Sequence, residues 1–176
     1  ENGKVRPLVG STPVRLKHLK QSTLPAPSPS ELFVFQSEID KVNRELRALN
    51  AAYKKIQERI TKLKAGIRNT PGADLTYLNN LRDMEKEMNE IEIDLNGDQS
   101  LSKREFETLP GLNGRMGMVV WTSYYSTSQP TQMQREGLEM VKKGMDRLEP
   151  RIESLNTKTQ GLIDYLEQIG GPIIID

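Results

Sequence analysis

A run of oxygen-bearing side chains in the middle of the chain has the spacing of a calcium-binding loop. The loop covers residues 94 to 105, and its oxygen donors belong to Asp94, Asn96, Asp98, Ser100, Ser102 and Glu105. Aligned with the twelve-residue loop of an EF-hand, they occupy the positions that ligate the ion, and calcium prefers such a ring of hard oxygen ligands. The pattern predicts a calcium-binding module.

A helix end explains the same residues without a metal. An EF-hand needs glycine at position 6 for a left-handed turn, but this chain has Gln99 there and its glycine two places earlier, at Gly97. A non-glycine residue in that turn costs roughly 1 kcal/mol. We therefore interpret these residues first as the end of a helix at Asn96 and Gly97, followed by a polar loop without a cofactor. A calcium-binding loop is the alternative interpretation.

Other potentially reactive residues have simpler interpretations. The single histidine, His18, lies on a predicted strand, and a lone histidine makes neither a histidine-based metal site nor a histidine pair. The carboxylates of residues 85 to 92 are interpreted as the solvated face of a helix. The chain has no cysteine, glycine-rich phosphate loop, serine elbow or HExxH motif. We predict no catalytic residue and no enzyme activity for this chain alone.

Composition limits the partners. The 25 basic and 24 acidic residues nearly cancel, so no global field attracts nucleic acid or an anionic membrane. A basic group at residues 54 to 64 has no interleaved aromatic residues, and no apolar run approaches the 18 residues of a spanning helix. We therefore predict no nucleic-acid partner and no membrane insertion.

Two long heptad repeats would position these residues. In both, apolar residues alternate at spacings of three and four, which is typical of coiled-coil packing. The first repeat consists of Leu32, Phe35, Ile39, Val42, Leu46, Leu49, Tyr53, Ile56, Ile60, Leu63 and Ile67. The second consists of Leu138, Val141, Met145, Leu148, Ile152, Leu155, Thr159, Leu162, Leu166 and Ile169. Each repeat predicts a helix of about 40 residues.

Capping motifs predict where the long helices begin. Ser28 and Glu31 form a capping box around Pro29, and Thr131 with Gln134 forms a second one. The first helix should end at Arg68 or Asn69, before Thr70-Pro71-Gly72. Pro150 should kink the last helix without ending it.

Two shorter helices are predicted between the long ones. Asp74 should cap the first of them, whose apolar residues begin at Leu75 and which ends at Asn96 and Gly97. After a connection at residues 97 to 111, the other covers residues 112 to 127. Its inward residues should be Met116, Val119, Val120 and Tyr124, with Trp121 nearby. The methionines are interpreted mostly as core filler: Met84, Met88, Met133, Met140 and Met145.

The predicted fold is mainly α, an antiparallel up-down helical bundle with a short N-terminal β segment. Residues 1–20 are interpreted as a hairpin or trailing strands, 21–30 as a proline- and serine-rich linker, 31–170 as the bundle and 171–176 as an apolar tail. Residues 31–69 contain nine basic and five acidic residues and residues 73–107 four and ten, which favours antiparallel packing of these segments. The last helix should run antiparallel to the first, with four helices at one end of the bundle and two at the other.

Several short motifs, in the same order along essentially the whole chain, resemble one protein family. They are Asn2-Gly3-Lys4 with Pro7-Leu8, residues 19 to 26, Leu95-Asn96-Gly97-Asp98, Arg104-Glu105, Gly111-Leu112 with Arg115, Pro130-Thr131-Gln132 and Gly170-Gly171-Pro172. Together they resemble the C-terminal region of exported bacterial proteins with sortilin-like, BNR-repeat β-propellers, described as glycosyl hydrolases.

The resemblance implies a non-catalytic accessory or scaffold domain that follows a β-propeller and is exported with it; no targeting signal is visible in the chain. The propeller would hold any active site, so no catalytic residue of the family is transferred to this chain. The implied partner is the upstream β domain of the same protein. Self-association as a homodimer is the other predicted interaction.

Overall fold

The computed structural model describes residues 13–16 and 28–174, and the bundle is helical throughout. The helices are α1 (Pro29–Asn69), α2 (Tyr77–Asn96), α3 (Gln99–Ser102), α4 (Leu112–Tyr124) and α5 (Gln132–Gln168). The described ranges contain no strand, and residues 13–16 are irregular. The rest of the predicted β segment, at 1–12 and 17–20, lies outside the described residues, as does the linker up to residue 27.

The predicted starts of both long helices and the predicted end of the first are confirmed. The Glu31 N–H donates to Ser28 Oγ at 3.3 Å, and the Ser28 N–H donates to the Glu31 carboxylate at 2.9 Å. Thr131 and Gln134 form the same reciprocal pair at the start of α5. Helix α1 ends at Asn69, and α5 continues through Pro150 as one helix.

The start of α2 differs from the prediction. Asp74 does not cap the helix, which begins three residues later at Tyr77; its carboxylate instead accepts the N–H of Thr76 at 2.8 Å in the preceding turn. The backbone N–H of Asp74 donates to the hydroxyl of Tyr165 on α5 at 2.8 Å. This tertiary contact holds the segment outside the helix, so Leu75 is 60% exposed instead of facing inward.

The two long helices are parallel, and the predicted antiparallel arrangement is wrong. Contacts between them advance in the same direction along both: Lys142 of α5 pairs with Glu38 of α1, and Asn156 of α5 accepts from Arg59 at 2.7 Å. Further on, the side chains of Leu166 and Pro172 lie against Gly66. Helix α5 therefore begins at the same end of the bundle as α1, here called the Ser28 end.

Helices α2 and α4 together make the return pass. The Tyr53 hydroxyl of α1 donates to the Met88 carbonyl of α2, and Lys64 pairs with Glu85, so α2 runs antiparallel to α1. Helix α4 continues in that direction, with Leu112 near Gly144 and Val119 near Gly137 of α5. The bundle therefore has three helices in cross-section along its length, and the predicted four-helix and two-helix ends are absent from the described part.

The heptad repeats form the core as predicted, except at Ile169, which follows the end of α5 and is exposed. Their deepest side chains are fully buried, among them Ile56, Leu63 and Ile67 of α1 and Leu148, Leu155 and Leu166 of α5. Tyr53 is also buried, and its removal from water raises the pKa of the phenol above its usual range, with a smaller effect of Glu92. Beyond α5, the Gly171 N–H donates to the Leu166 carbonyl at 2.8 Å, and Ile174 packs against the core.

Candidate interaction surface

The junction between α2 and α4 depends on two glycines. Gly97 ends α2 at a φ of +78°, as the sequence predicted for a helix-ending glycine. Gly111, just before α4, lies so close to this end that a Cβ there would be 2.5–2.6 Å from backbone atoms of residues 95 to 97. Only glycine permits this approach, which places the start of α4 directly against the end of α2.

An asparagine triad fixes the junction to α1. Asn113 of α4 donates to Asn96 of α2 at 2.8 Å and exchanges two 2.9 Å hydrogen bonds with Asn50 of α1. Asn50 also donates to the Leu46 carbonyl. These partly buried amides satisfy one another across three helices, and the sequence analysis missed this network because its members are 17 and 63 residues apart.

The predicted calcium ligands have other partners. The Asp94 carboxylate lies 3.7 Å from Arg151, and Asn96 belongs to the triad. Asp98 caps α3, a short helix inside the predicted connection: it accepts the N–H of Ser100 at 2.9 Å, the Ser100 hydroxyl at 2.6 Å and the N–H of Leu101 at 3.2 Å. These hydrogen bonds, led by that of Ser100, lower the pKa of Asp98.

No group of three or more His, Asp or Glu side chains in the described ranges is placed to hold a metal ion. Glu105 has a φ of +62° and lies in the turn that follows α3. His18 lies outside the described residues. Calcium binding stays a prediction, and the observed contacts of this loop are those of a helix cap.

The carboxylates of α2 face basic residues of its neighbours. Arg151 of α5 lies 3.4 Å from Glu87 and 2.8 Å from Glu90, and Lys64 of α1 contacts Glu85 at 2.8 Å. The basic group of α1 is thus partly engaged within the bundle. The interpretation of these carboxylates as a solvated face holds only for Glu90, since Glu85, Glu87 and Glu92 are partly buried and have partners within the bundle.

The inner face of α4 packs very closely on α5. Leu112, Met116 and Val119 are buried there. A Cβ on Gly144 would collide with the side chain of Leu112, and one on Gly137 would lie 2.9 Å from Val119. These two glycines of α5 therefore allow the close approach of α4.

The outer face of α4 exposes aromatic side chains. Trp121 is 64% exposed, Tyr124 80% and Tyr125 76%. Ring centroids are 5.7 Å apart for Trp121 and Tyr125 and 5.5 Å for Tyr124 and Tyr125, both in edge-to-face geometry. The prediction that Tyr124 faces inward is wrong, since the helix ends at this residue and Ser123 takes the buried position.

Methionines extend this aromatic cluster. Met118 is exposed on α4 and lines a cleft of about 230 Å³ with Met133 of α5. Met140 of α5 is also exposed, with Arg115 Nη1 3.4 Å from its sulfur. The interpretation of Met133 and Met140 as core filler is wrong, whereas Met84 and Met88 are buried. We use the name aromatic face for Met118, Trp121, Tyr124, Tyr125 and Met133.

One sequence signal distinguishes the aromatic face. Helix α4 contains a single charged residue, Arg115, among its 13 residues. A helix that is apolar on all sides is normally buried on all sides. The low charge of α4 is thus the sequence signal for this surface, whereas the spacing of its apolar residues predicts only the inner face.

Comparisons of the chain with protein-family models, curated proteins and solved structures found no match. None of the helices in the described ranges is long and apolar enough to cross a membrane.

Proposed function

We propose that this chain is a non-catalytic helical accessory domain that acts by packing against another protein domain through its aromatic face. The observation that carries the proposal is the exposure of Trp121 and Tyr124 on a side of α4 without charge, continued by Tyr125 just beyond the helix end. Contiguous apolar patches of this kind mark interaction sites. Tryptophan and tyrosine also supply much of the binding energy in protein interfaces.

The size of the surface fits this role. Each aromatic side chain buries roughly 150–250 Å² when fully covered. With Met118 and Met133, the exposed part of the face is on the order of 600 Å². A stable interface covers about 800 Å² on each partner, so the aromatic face with its flanks is of suitable size.

The proposed biological setting comes from the sequence resemblance. In it, the domain follows a sortilin-like β-propeller of an exported glycosyl-hydrolase-like protein, and the domain that covers the aromatic face is either that β domain or the same domain of a second copy. The aromatic face lies toward the Ser28 end, because Met133 follows the start of α5 there, where α1 also begins. Glycosidase activity in this chain alone would contradict the non-catalytic role.

Photo-crosslinking tests the proposal. A benzophenone amino acid replaces Trp121 in the natural protein that carries this chain, and Leu75 is replaced in a control because it is similarly exposed on another part of the bundle. We expect irradiation to join position 121 to one defined protein peptide, identified by mass spectrometry, with no defined product from position 75. Absence of a defined product at position 121 would contradict the proposed function.

A further inference from the structure

We infer that the partner of the aromatic face is a second copy of this chain, bound through two antiparallel α4 helices. This inference rests on the proposed function and names the partner for the same surface. In the proposed register, the two-fold axis passes between Gly117 and Met118. Trp121 of each copy then lies opposite Gly114 of the other, and Met118 lies opposite Gly117.

Glycine positions on α4 support close approach by another helix. At 100° per residue, Gly114, Gly117 and Met118 share the outer side of α4 with Trp121. A Cβ on Gly117 would meet no atom within 4 Å, and one on Gly114 only Pro110 at 3.4 Å. Packing within this chain therefore does not explain these glycines, although each costs about 1 kcal/mol relative to alanine in a helix.

The large and small residues of α4 are self-complementary. The glycines leave two shallow depressions, and Trp121 and Met118 project from the same face one turn away. A two-fold axis pairs each protruding side chain with a depression, which is what an isologous dimer contact requires. Antiparallel packing also places each helix N-terminus beside the other's C-terminus, where the helix dipoles attract.

Charge favours an identical partner. Arg115, the one charge of α4, points to the flank, where its Nε donates to the Pro110 carbonyl at 3.1 Å and its Nη1 contacts Met140. Two aromatic faces can therefore meet without burying an unpaired charge or opposing like charges. Among the described helices of more than four residues, α4 alone has an outer face free of charge.

Sedimentation equilibrium of this chain tests the dimer. A leucine in place of an outer glycine of α4 should weaken dimerisation without destabilising the helix, so a loss of the dimer cannot be explained by unfolding. Gly117→Leu introduces a better helix former into open space, so the melting temperature of the monomer should not fall. The added side chain blocks Met118 of the second copy. We expect the unmodified 20.0 kDa chain to reach twice its mass and the variant to dimerise at least about tenfold more weakly.

Two further variants complete the test. Trp121→Ala should weaken the dimer at least about tenfold, since it removes the aromatic side chain that lies opposite Gly114 of the other copy. Gly161→Leu, at an equally open glycine of α5, should leave the dimer unchanged. A monomer at every concentration, or a dimer insensitive to both α4 substitutions, would overturn the inference. The proposed function would survive that result if position 121 still crosslinked to a different domain, and would fail if it crosslinked to nothing.

Discussion

Helices α2 and α4 form the two halves of one pass through the bundle, yet their contacts differ. Both bury apolar side chains in the core, but α2 also has carboxylates that pair with Arg151 and Lys64, and its outer side is charged. Helix α4 is fixed by close packing on Gly137 and Gly144, and its outer side is aromatic and uncharged. The difference indicates that α2 is complete within the bundle, whereas α4 has a face suited to a partner.

The connection between the two halves should be the most sensitive point. In Gly111→Ala, the added Cβ meets the backbone of residues 95 to 97, which cannot move without displacing α2. We expect a loss of roughly 3 kcal/mol in the free energy of unfolding, measured by urea denaturation. Gly161→Ala is the control and should gain up to about 1 kcal/mol. Equal stability of both variants would show that the halves are not joined by this contact.

The asparagine triad should couple the halves to α1. Asn113→Ala removes the donor to the partly buried side-chain oxygens of Asn50 and Asn96, so we expect a loss of about 1–3 kcal/mol. A double-mutant cycle with Asn50→Ala should give a coupling of at least about 0.5 kcal/mol. The exposed Asn79 is the comparison, and Asn79→Ala should be additive with Asn113→Ala.

The salt dependence of the unfolding free energy should distinguish the ion pairs of α2 from the packing of α4. Arg151→Met removes the contacts to Glu87, Glu90 and Asp94, and should cost up to about 1 kcal/mol at low ionic strength. This loss should shrink at 1 M salt, where the screening length is about 3 Å. Gly144→Ala acts through packing on α4, so its effect on the unfolding free energy should be independent of salt. A salt-independent effect of Arg151→Met would show that Arg151 does not stabilise the chain through its ion pairs with α2.

Calcium should produce the smallest change. Because Asp98 already accepts three hydrogen bonds as the cap of α3, we expect the same melting temperature in millimolar calcium and in chelator. Asp98→Asn keeps a good capping residue and removes the carboxylate, so it should be less destabilising than Asp98→Ala. If calcium stabilised the unmodified chain but not Asp98→Asn, Asp98 would be a calcium ligand, and the interpretation of this loop as a helix cap would be wrong.

The pH dependence of this cap has a definite sign. The pKa of Asp98 is lower in the folded chain than in an unfolded one, so its contribution to stability is present above the ordinary carboxyl pKa. It is lost as the pH falls through the lowered folded value. Asp98→Asn should remove this acid-side component of the unfolding curve.

The sequence predicted the long helices because their information is local. Capping boxes at Ser28 and Thr131 depend on residues three apart, and the heptads identify the buried faces directly. The direction of α5 was not predictable this way, since a heptad repeat packs equally well in parallel and antiparallel bundles. Direction is set by whether the chain turns back after α2, and this depends on the backbone contact between Gly97 and Gly111.

The aromatic face was missed for a related reason. A periodicity argument assumes that one side of each helix is polar, and α4 has no such side. Val119 and Tyr124 were therefore predicted inward together, although only Val119 is buried. The sequence shows that α4 has almost no charge. Which of its sides is exposed depends on the packing of α4 against Gly137 and Gly144.

The odd number of passes has a mechanical consequence. A bundle with two or four passes returns the chain to the end at which it began, whereas three passes deliver it to the opposite end. Helix α1 alone, with 41 residues, is about 60 Å long. The chain therefore enters the bundle at Ser28 and leaves it at Gly170, about 60 Å away. The described bundle has the geometry of a spacer between its two ends.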